Sequence, residues 1–275
     1  MRRSLLMLLL LLGACQQQPR PRQKPAEVTF DGALTPDKAL QIRHGERLIH
    51  VLGCTGCHGA HLEGDLFTKG HPEWGPLYAS NLTVEVPEYT DAQLDGIIRL
   101  GTHPERKSVW GMPSPVFTHL SDPDFKALVA YLRSLKPIGK KTPPPQFSAQ
   151  DKKDIKAGVY KPSDQMVREL KDKLPTNLGP QYALGRYITT VTCRECHGAQ
   201  LEGQKGPPGS PPNLVVVGGY SRAEFEELIT KGIATGGRKL NPMMSGVART
   251  RFNHLTLHER DALYAYLKVR ADKPQ

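Results

Sequence analysis

Cys54-Thr-Gly-Cys-His-Gly-Ala-His-Leu-Glu-Gly64 and Cys193-Arg-Glu-Cys-His-Gly-Ala-Gln-Leu-Glu-Gly203 are one phrase written twice, 139 residues apart. The likeness runs outward from both ends of it. Gly45-Glu-Arg-Leu-Ile precedes the first copy and Gly185-Arg-Tyr-Ile the second. Asn81-Leu82 recurs as Asn213-Leu214, Tyr89-Thr-Asp-Ala-Gln as Tyr220-Ser-Arg-Ala-Glu, and Gly101 as Gly232. Phe117-Thr-His-Leu returns as Phe252-Asn-His-Leu, and Ala130-Tyr-Leu as Ala265-Tyr-Leu. The order never changes, so the chain is a duplication of one domain.

C-x-x-C-H is the attachment pattern of c-type haem. Two thiols three residues apart lie on the same side of one helical turn, within reach of the two vinyl groups of a porphyrin. The histidine that follows is then carried under the iron. Cys54 and Cys57 with His58, and Cys193 and Cys196 with His197, are the two candidate sets. A redox dithiol would call for a βαβ pattern, which is missing. Zinc would require the two pairs to meet and would leave both histidines idle.

A haem iron also needs a sixth ligand or an open face. Met112 is the candidate in the first copy, and the matching loop of the second holds Met243 and Met244. Two registers compete there. Counting from Gly101 and Gly232 selects Met243; counting from Arg106-Lys107 and Arg238-Lys239 selects Met244, the preferred reading. His119 and His254 occupy equivalent positions and are alternative ligands, with a surface or capping role expected instead. His44, His50, His61, His71, His103 and His258 have no counterpart and read as surface residues. Trp74 and Trp110 occur in the first copy only, packed on its haem or on the other domain. Glu63 and Glu202 are expected to fix a loop.

Each copy reads as helical. Thr35-Pro36 predicts a helix start, with Thr35 as cap and Pro36 at the first helical position; Pro180 opens the matching helix. Thr90-x-x-Gln93, Ser121-x-x-Asp124, Ser221-x-x-Glu224 and Thr256-x-x-Glu259 are capping boxes or close variants. They precede amphipathic runs over 91–100, 122–135, 222–231 and 257–269. Only Val215–Val217 looks β-like. Between the copies, 137–176 is a Pro/Lys-rich linker or packed strap, with a short helix expected over 163–174.

The first residues are set apart. Arg2 and Arg3 precede an apolar run from Leu5 to Leu12, too short for the ~20 residues that span a bilayer. Leu12-Gly13-Ala14-Cys15 resembles a bacterial lipobox, which implies cleavage of a signal peptide over 1–14 and lipidation at Cys15. Residues 15–34 then form the lipidated end and its tether. Of five cysteines, Cys15 is the only one outside the repeated phrase, so none remains for a structural disulfide although the chain is exported. The formal net charge is +10; without Arg2 and Arg3, 35 basic residues face 27 acidic ones. Ten Lys/Arg and five Asp/Glu lie between Lys136 and Lys173, a mixture that reads as a solvated stretch rather than a steering surface. No nucleic-acid motif is present.

On these motifs the chain resembles a tandem dihaem class I c-type cytochrome, over domains 35–136 and 177–270 with a tail at 271–275. The resemblance implies an all-α fold of two tandem domains, each wrapped around one covalent haem, and His/Met iron in both. It implies that the first and last helices of each domain cross with a glycine against an aromatic, Gly45 with Tyr131 and Gly185 with Tyr266. It also implies a proline carbonyl behind each proximal histidine. Pro212 fits; the first copy has Ser80 at that place, with Pro76 the nearest substitute. Two haem c groups in the cores account for an aromatic content of only 7%. The function expected is single-electron transfer from a periplasmic or membrane dehydrogenase or quinol-oxidising complex to an oxidase or another cytochrome. The protein is thus expected to be a carrier rather than an enzyme, anchored to a membrane and facing the periplasm or cell exterior. A cytochrome subunit of a dehydrogenase is the nearest alternative. A dihaem peroxidase or a haem-based sensor with one labile Met bond would need an open iron.

Overall fold

A computed structural model describes residues 27–71, 73–106 and 108–273. The leader, Cys15 and the tether as far as residue 26 lie outside the described residues. Helices of five or more residues are numbered in chain order. They are α1 (Lys38–Val51), α2 (Asp91–Asp95), α3 (Asp122–Ser134), α4 (Ala149–Lys156), α5 (Ser163–Leu170), α6 (Ala183–Ile188), α7 (Arg222–Lys231), α8 (Pro242–Thr250) and α9 (Leu257–Ala271). A π turn extends α2 over Gly96–Leu100 and another extends α6 over Thr189–Cys193.

Local chemistry sets the helix ends. The boxes at Thr90/Gln93, Ser221/Glu224 and Thr256/Glu259 are reciprocal. Ser121 caps α3, but Asp124 does not return the bond to its backbone. Helix α1 starts later than Thr35-Pro36 predicts. The Asp37 carboxylate takes the amides of Ala39 and Leu40 at 2.8 and 2.9 Å, which makes Asp37 the cap. Val215–Val217 lies in a 3-10 turn, Leu214–Gly219, and among the described residues the strands are two short antiparallel pairs, 65–66 with 78–79 and 233–234 with 238–239.

In each copy the first helix crosses the last at a glycine. A Cβ on Gly45 would lie 2.0 Å from the Ala127 carbonyl oxygen and 2.8 Å from Tyr131 Cβ. On Gly185 it would lie 2.1 Å from the Ala262 oxygen and 2.5 Å from Tyr266 Cβ. Backbone meets backbone at both crossings, so no larger residue fits. Leu48, Ile49, Val51, Leu128 and Leu132 fill the core beside the first crossing; Ile188, Val191, Leu263 and Leu267 fill the second.

The copies face one another through matched acids. Asp124 and Glu259 stand at the same place in α3 and α9, and both are fully buried. Tyr187 of the second copy donates to Asp124 at 2.7 Å. Arg47 of the first donates to Glu259 through both nitrogens, at 2.7 and 2.9 Å. Arg47 and Tyr187 each lie two residues past a crossing glycine, so the interface repeats the duplication with different chemistry. Asp124 also accepts from the Phe30 amide at 3.0 Å and pairs with His44 at 2.7 Å. His44 is therefore 5% exposed rather than a surface residue: it shares a buried acid with the other copy. His50 and His254 stack, ring centroids 4.3 Å apart, instead of standing free.

The connecting segment is a strap packed on the first copy. Asn81 donates to the carbonyls of Ile138 and Lys140 at 2.6 and 3.0 Å. Asp151 accepts the Gly75 amide at 2.8 Å, and a Cβ on Gly75 would strike the Gln146 carbonyl at 1.7 Å. Ser163 donates to the Met112 carbonyl at 2.7 Å. The helix expected over 163–174 is present as α5 and ends at Leu170.

Candidate haem sites

Each Cys-x-x-Cys-His segment forms one short helical turn, Thr55–His58 and Arg194–His197, at the end of the first helix of its copy. Gly59 and Gly198 follow at φ +84° and +86°, where only glycine turns the chain without strain. Glu63 and Glu202 then accept the amides of His61 and Gln200 at 2.8 and 2.7 Å, closing identical loops.

The histidine rings are oriented from behind. His58 Nδ1 donates to the Ser80 carbonyl at 2.7 Å, and His197 Nδ1 to the Pro212 carbonyl at 2.8 Å. A carbonyl only accepts, so Nδ1 carries the proton and Nε2 keeps its lone pair for a metal. Neither Pro76 nor any proline is needed in the first copy. The contact uses a backbone oxygen, which serine supplies equally. Burial lowers the proton affinity of both rings against that hydrogen bond, which favours the neutral, ligating form.

The thiols are free of disulfides. Burial pushes the Cys54 thiol up to about 12 and Cys193 to about 11, and raises Cys57 and Cys196 as well. Thiols of this kind are poor redox nucleophiles. Among the described residues no three His, Cys, Asp or Glu side chains gather as a metal-ligand cluster.

The first copy encloses a cavity of about 630 Å³ with Cys54, Cys57, His58 and Met112 in its walls. Leu77, Leu82, Leu94, Ile98 and Leu128 complete an apolar lining suited to a flat macrocycle. Arg106, Lys161 and Tyr160 add polar ends, and the Tyr160 hydroxyl is buried with no protein partner. A haem fits both features: an apolar ring and two carboxylates that accept from such donors. Trp110 lines the same cavity and packs on Phe147 and Tyr160 of the strap, each at 5.0 Å. Trp74 stacks on His71 at the surface, half-exposed and outside the lining of that cavity.

In the second copy Met243 is 72% exposed, whereas Met244 packs against the hydrophobic core. Met244 sits in the first turn of α8, its amide bound to the Asn241 cap at 2.8 Å. His119 and His254 do not share a role. His119 Nε2 is buried without a partner, and burial, with the Arg194 charge, pulls the ring down to about 4; His254 stacks on His50.

Sequence reasoning missed the roles of Tyr160 and Ser163, which lie in the strap outside both repeats; it placed Ser80 opposite Pro212 but looked to Pro76 for the carbonyl that Ser80 itself supplies.

A cytochrome c family model matches residues 42–136 and again residues 182–270. With both attachment turns and both held histidines, the chain belongs to the cytochrome c family. More particularly, it is a tandem dihaem electron-transfer cytochrome with two covalently bound haem c groups. A diheme cytochrome c-type protein of Cereibacter sphaeroides is 27% identical over an alignment of 300 positions, covering 98% of each chain. The cytochrome c subunit of a quinone alcohol dehydrogenase from Gluconacetobacter polyoxogenes is 27% identical over 60% of this chain and 37% of its own length. A fructose dehydrogenase cytochrome subunit from Gluconobacter japonicus is 22% identical over 90% of this chain and 55% of its own. The chain thus spans only about a third to a half of those two dehydrogenase subunits.

Proposed function

We propose that the protein is a membrane-tethered dihaem relay. It takes single electrons from a dehydrogenase or quinol-oxidising complex and delivers them to an oxidase or another cytochrome. The observation that carries this reading is the pair of attachment turns, each with its histidine held from behind by a backbone carbonyl, together with Met112 in the wall of the first cavity and Met244 packed on the core of the second copy. When bound, each haem supplies a one-electron couple at its iron. Cys54 and Cys57, and Cys193 and Cys196, tether the two groups. His58 and Met112 would hold the iron of the first haem, and His197 and Met244 that of the second, leaving no site on either for substrate or water. Methionine ligation and burial raise the reduction potential.

The functional units are 35–136 and 177–270, joined by 137–176. Residues 1–14 direct export and Cys15 carries the lipid, holding the relay at a membrane facing the periplasm or cell exterior. No helix among the described residues is long and apolar enough to cross a membrane. A fixed place in a dehydrogenase complex is the second reading, favoured by the cytochrome subunits among its relatives.

The test is a spectrum of the purified protein in both oxidation states, with haem counted per chain and carbon monoxide added to the reduced form. Two covalent haems, a methionine–iron charge-transfer band and no carbon monoxide shift are expected. A shifted haem would indicate an open iron, hence a peroxidase or sensor. Cys15→Ser should release the protein from membranes.

A further inference from the structure

Arg251 leaves the second copy from the loop between α8 and α9 and enters the first. Its Nε donates to the Val51 carbonyl at 3.2 Å, and its Nη1 meets Glu195 Oε2 at 3.1 Å. Val51 lies just before the Cys54 turn, and Glu195 lies between Cys193 and Cys196. One guanidinium therefore bridges the two attachment turns. Gly53 makes room for it: a Cβ there would stand 2.8 Å from Arg251 Cζ and Nε, and the glycine holds φ +80°.

The bridge is charged and sheltered. The Arg251 side chain is 13% exposed, and its Nη2 is buried with no protein partner. Its positive charge is felt at all four cysteine sulfurs. Glu195 belongs to the second copy, yet it lines the cavity of the first. The contact is also one-sided. By the alignment of Phe117 with Phe252, Val116 stands where Arg251 does, so the first copy sends no arginine back.

These turns carry the cysteines that would tether the two haems, so one side chain joins the two points of attachment. We propose that the Arg251–Glu195 pair is the electrical junction of the relay, a positioning pair that holds the two attachment turns edge to edge and sets the potentials of both haems together. This rests on the dihaem relay reading. With both haems bound, transfer across the junction would be one electron lost by one group and gained by the other. No bond is made or broken and no proton moves. A fixed cation beside a haem favours the reduced, less positive state, and a fixed anion favours the oxidised state; both effects are strong where water is excluded.

The experiment is a two-step spectroelectrochemical titration of the full chain with haem counted, for the native protein, Arg251→Gln, Arg251→Lys and Glu195→Gln. Arg251→Gln should lower both potentials, Glu195→Gln should raise both, and Arg251→Lys should restore most of the native values. After a one-electron pulse, Arg251→Gln should also equilibrate more slowly between haems. Two intact haems with only one potential moved, or neither, would overturn the junction while leaving the relay standing. A native chain with fewer than two haems would overturn the relay itself. If Arg251→Gln fails to fold, Glu195→Gln decides alone, since it keeps the size of the side chain and removes only its charge.

Discussion

The loop bearing Met112 is pinned from outside its own repeat, the loop bearing Met244 from within. In the first copy Ser163 of the strap binds the Met112 carbonyl and packs on Gly101, where a Cβ would come within 2.7 Å of Ser163 Cβ. In the second copy the equivalent Gly232 is covered by Ser245 of α8 itself, whose hydroxyl reaches the Leu240 carbonyl at 3.2 Å. Two serines of different origin thus prop the same glycine. Duplication preserved the helices and the attachment turns, while the supports behind the methionines were found separately. The cavity of the first copy takes part of its wall from the strap, with Phe147 and Tyr160 among its lining residues.

The largest test of this contrast removes a tether. Cys54→Ser with Cys57→Ser should reduce the haem count from two to one, and Cys193→Ser with Cys196→Ser should do the same, read by mass and haemochrome assay. If losing the first haem also frees the strap, protease cleavage within 137–176 should rise in the first variant only. Next come the methionines. Met112→Ala and Met244→Ala should each open one iron to carbon monoxide and lower that haem's potential, whereas Met243→Ala should change neither spectrum nor potential. A response from Met243→Ala would reverse the register.

The interface provides a smaller pair. Arg47→Ala strands the buried Glu259 carboxylate and should cost about 3–5 kcal/mol in denaturant unfolding. Tyr187→Phe, at the matching position, removes a single hydroxyl from Asp124 and should cost about 1.5–3 kcal/mol. Equal losses would mean that the two acids are equivalent hubs despite their different partners. Ser163→Ala and Ser245→Ala should each cost about 1 kcal/mol and weaken the methionine–iron band of one haem, the first and second respectively.

A pH slope comes from His119, whose equivalent His254 sits in a different setting, and it vanishes at neutral pH. Burial holds His119 near 4 when folded, against an ordinary 6.5. The unfolded chain therefore binds the extra proton first as pH falls. Stability is unaffected above about 6.5 and declines from there towards about 4. His119→Gln should flatten that part of the unfolding profile.

Much of this was legible beforehand because its signals are local. Cys-x-x-Cys-His and the capping boxes each act within a single turn, and one sequence displays them; the glycine–aromatic crossings join distant residues and came from the family resemblance. The start of α1 was misjudged because Thr35 and Asp37 both suit a cap; only backbone geometry chose Asp37. The burial of His44 depends on Asp124, 80 residues away, and the Arg47–Glu259 contact spans 212 residues. No periodicity marks such partners. Two registers competed for the second methionine and the sequence favoured Met244 over Met243; exposure separates the two side chains in the same sense.

The strap has a consequence for biosynthesis. A chain is made from its amino terminus, so Cys54 to His58 exist before Phe147, Tyr160 and Ser163 do. The first site therefore has an early life with one wall missing, during which a bulky, rigid guest has a wide entrance. That wall is supplied later, by strap residues that belong to neither repeat. Cutting the gene at the end of α3 would preserve every motif of the first copy and leave that doorway permanently open.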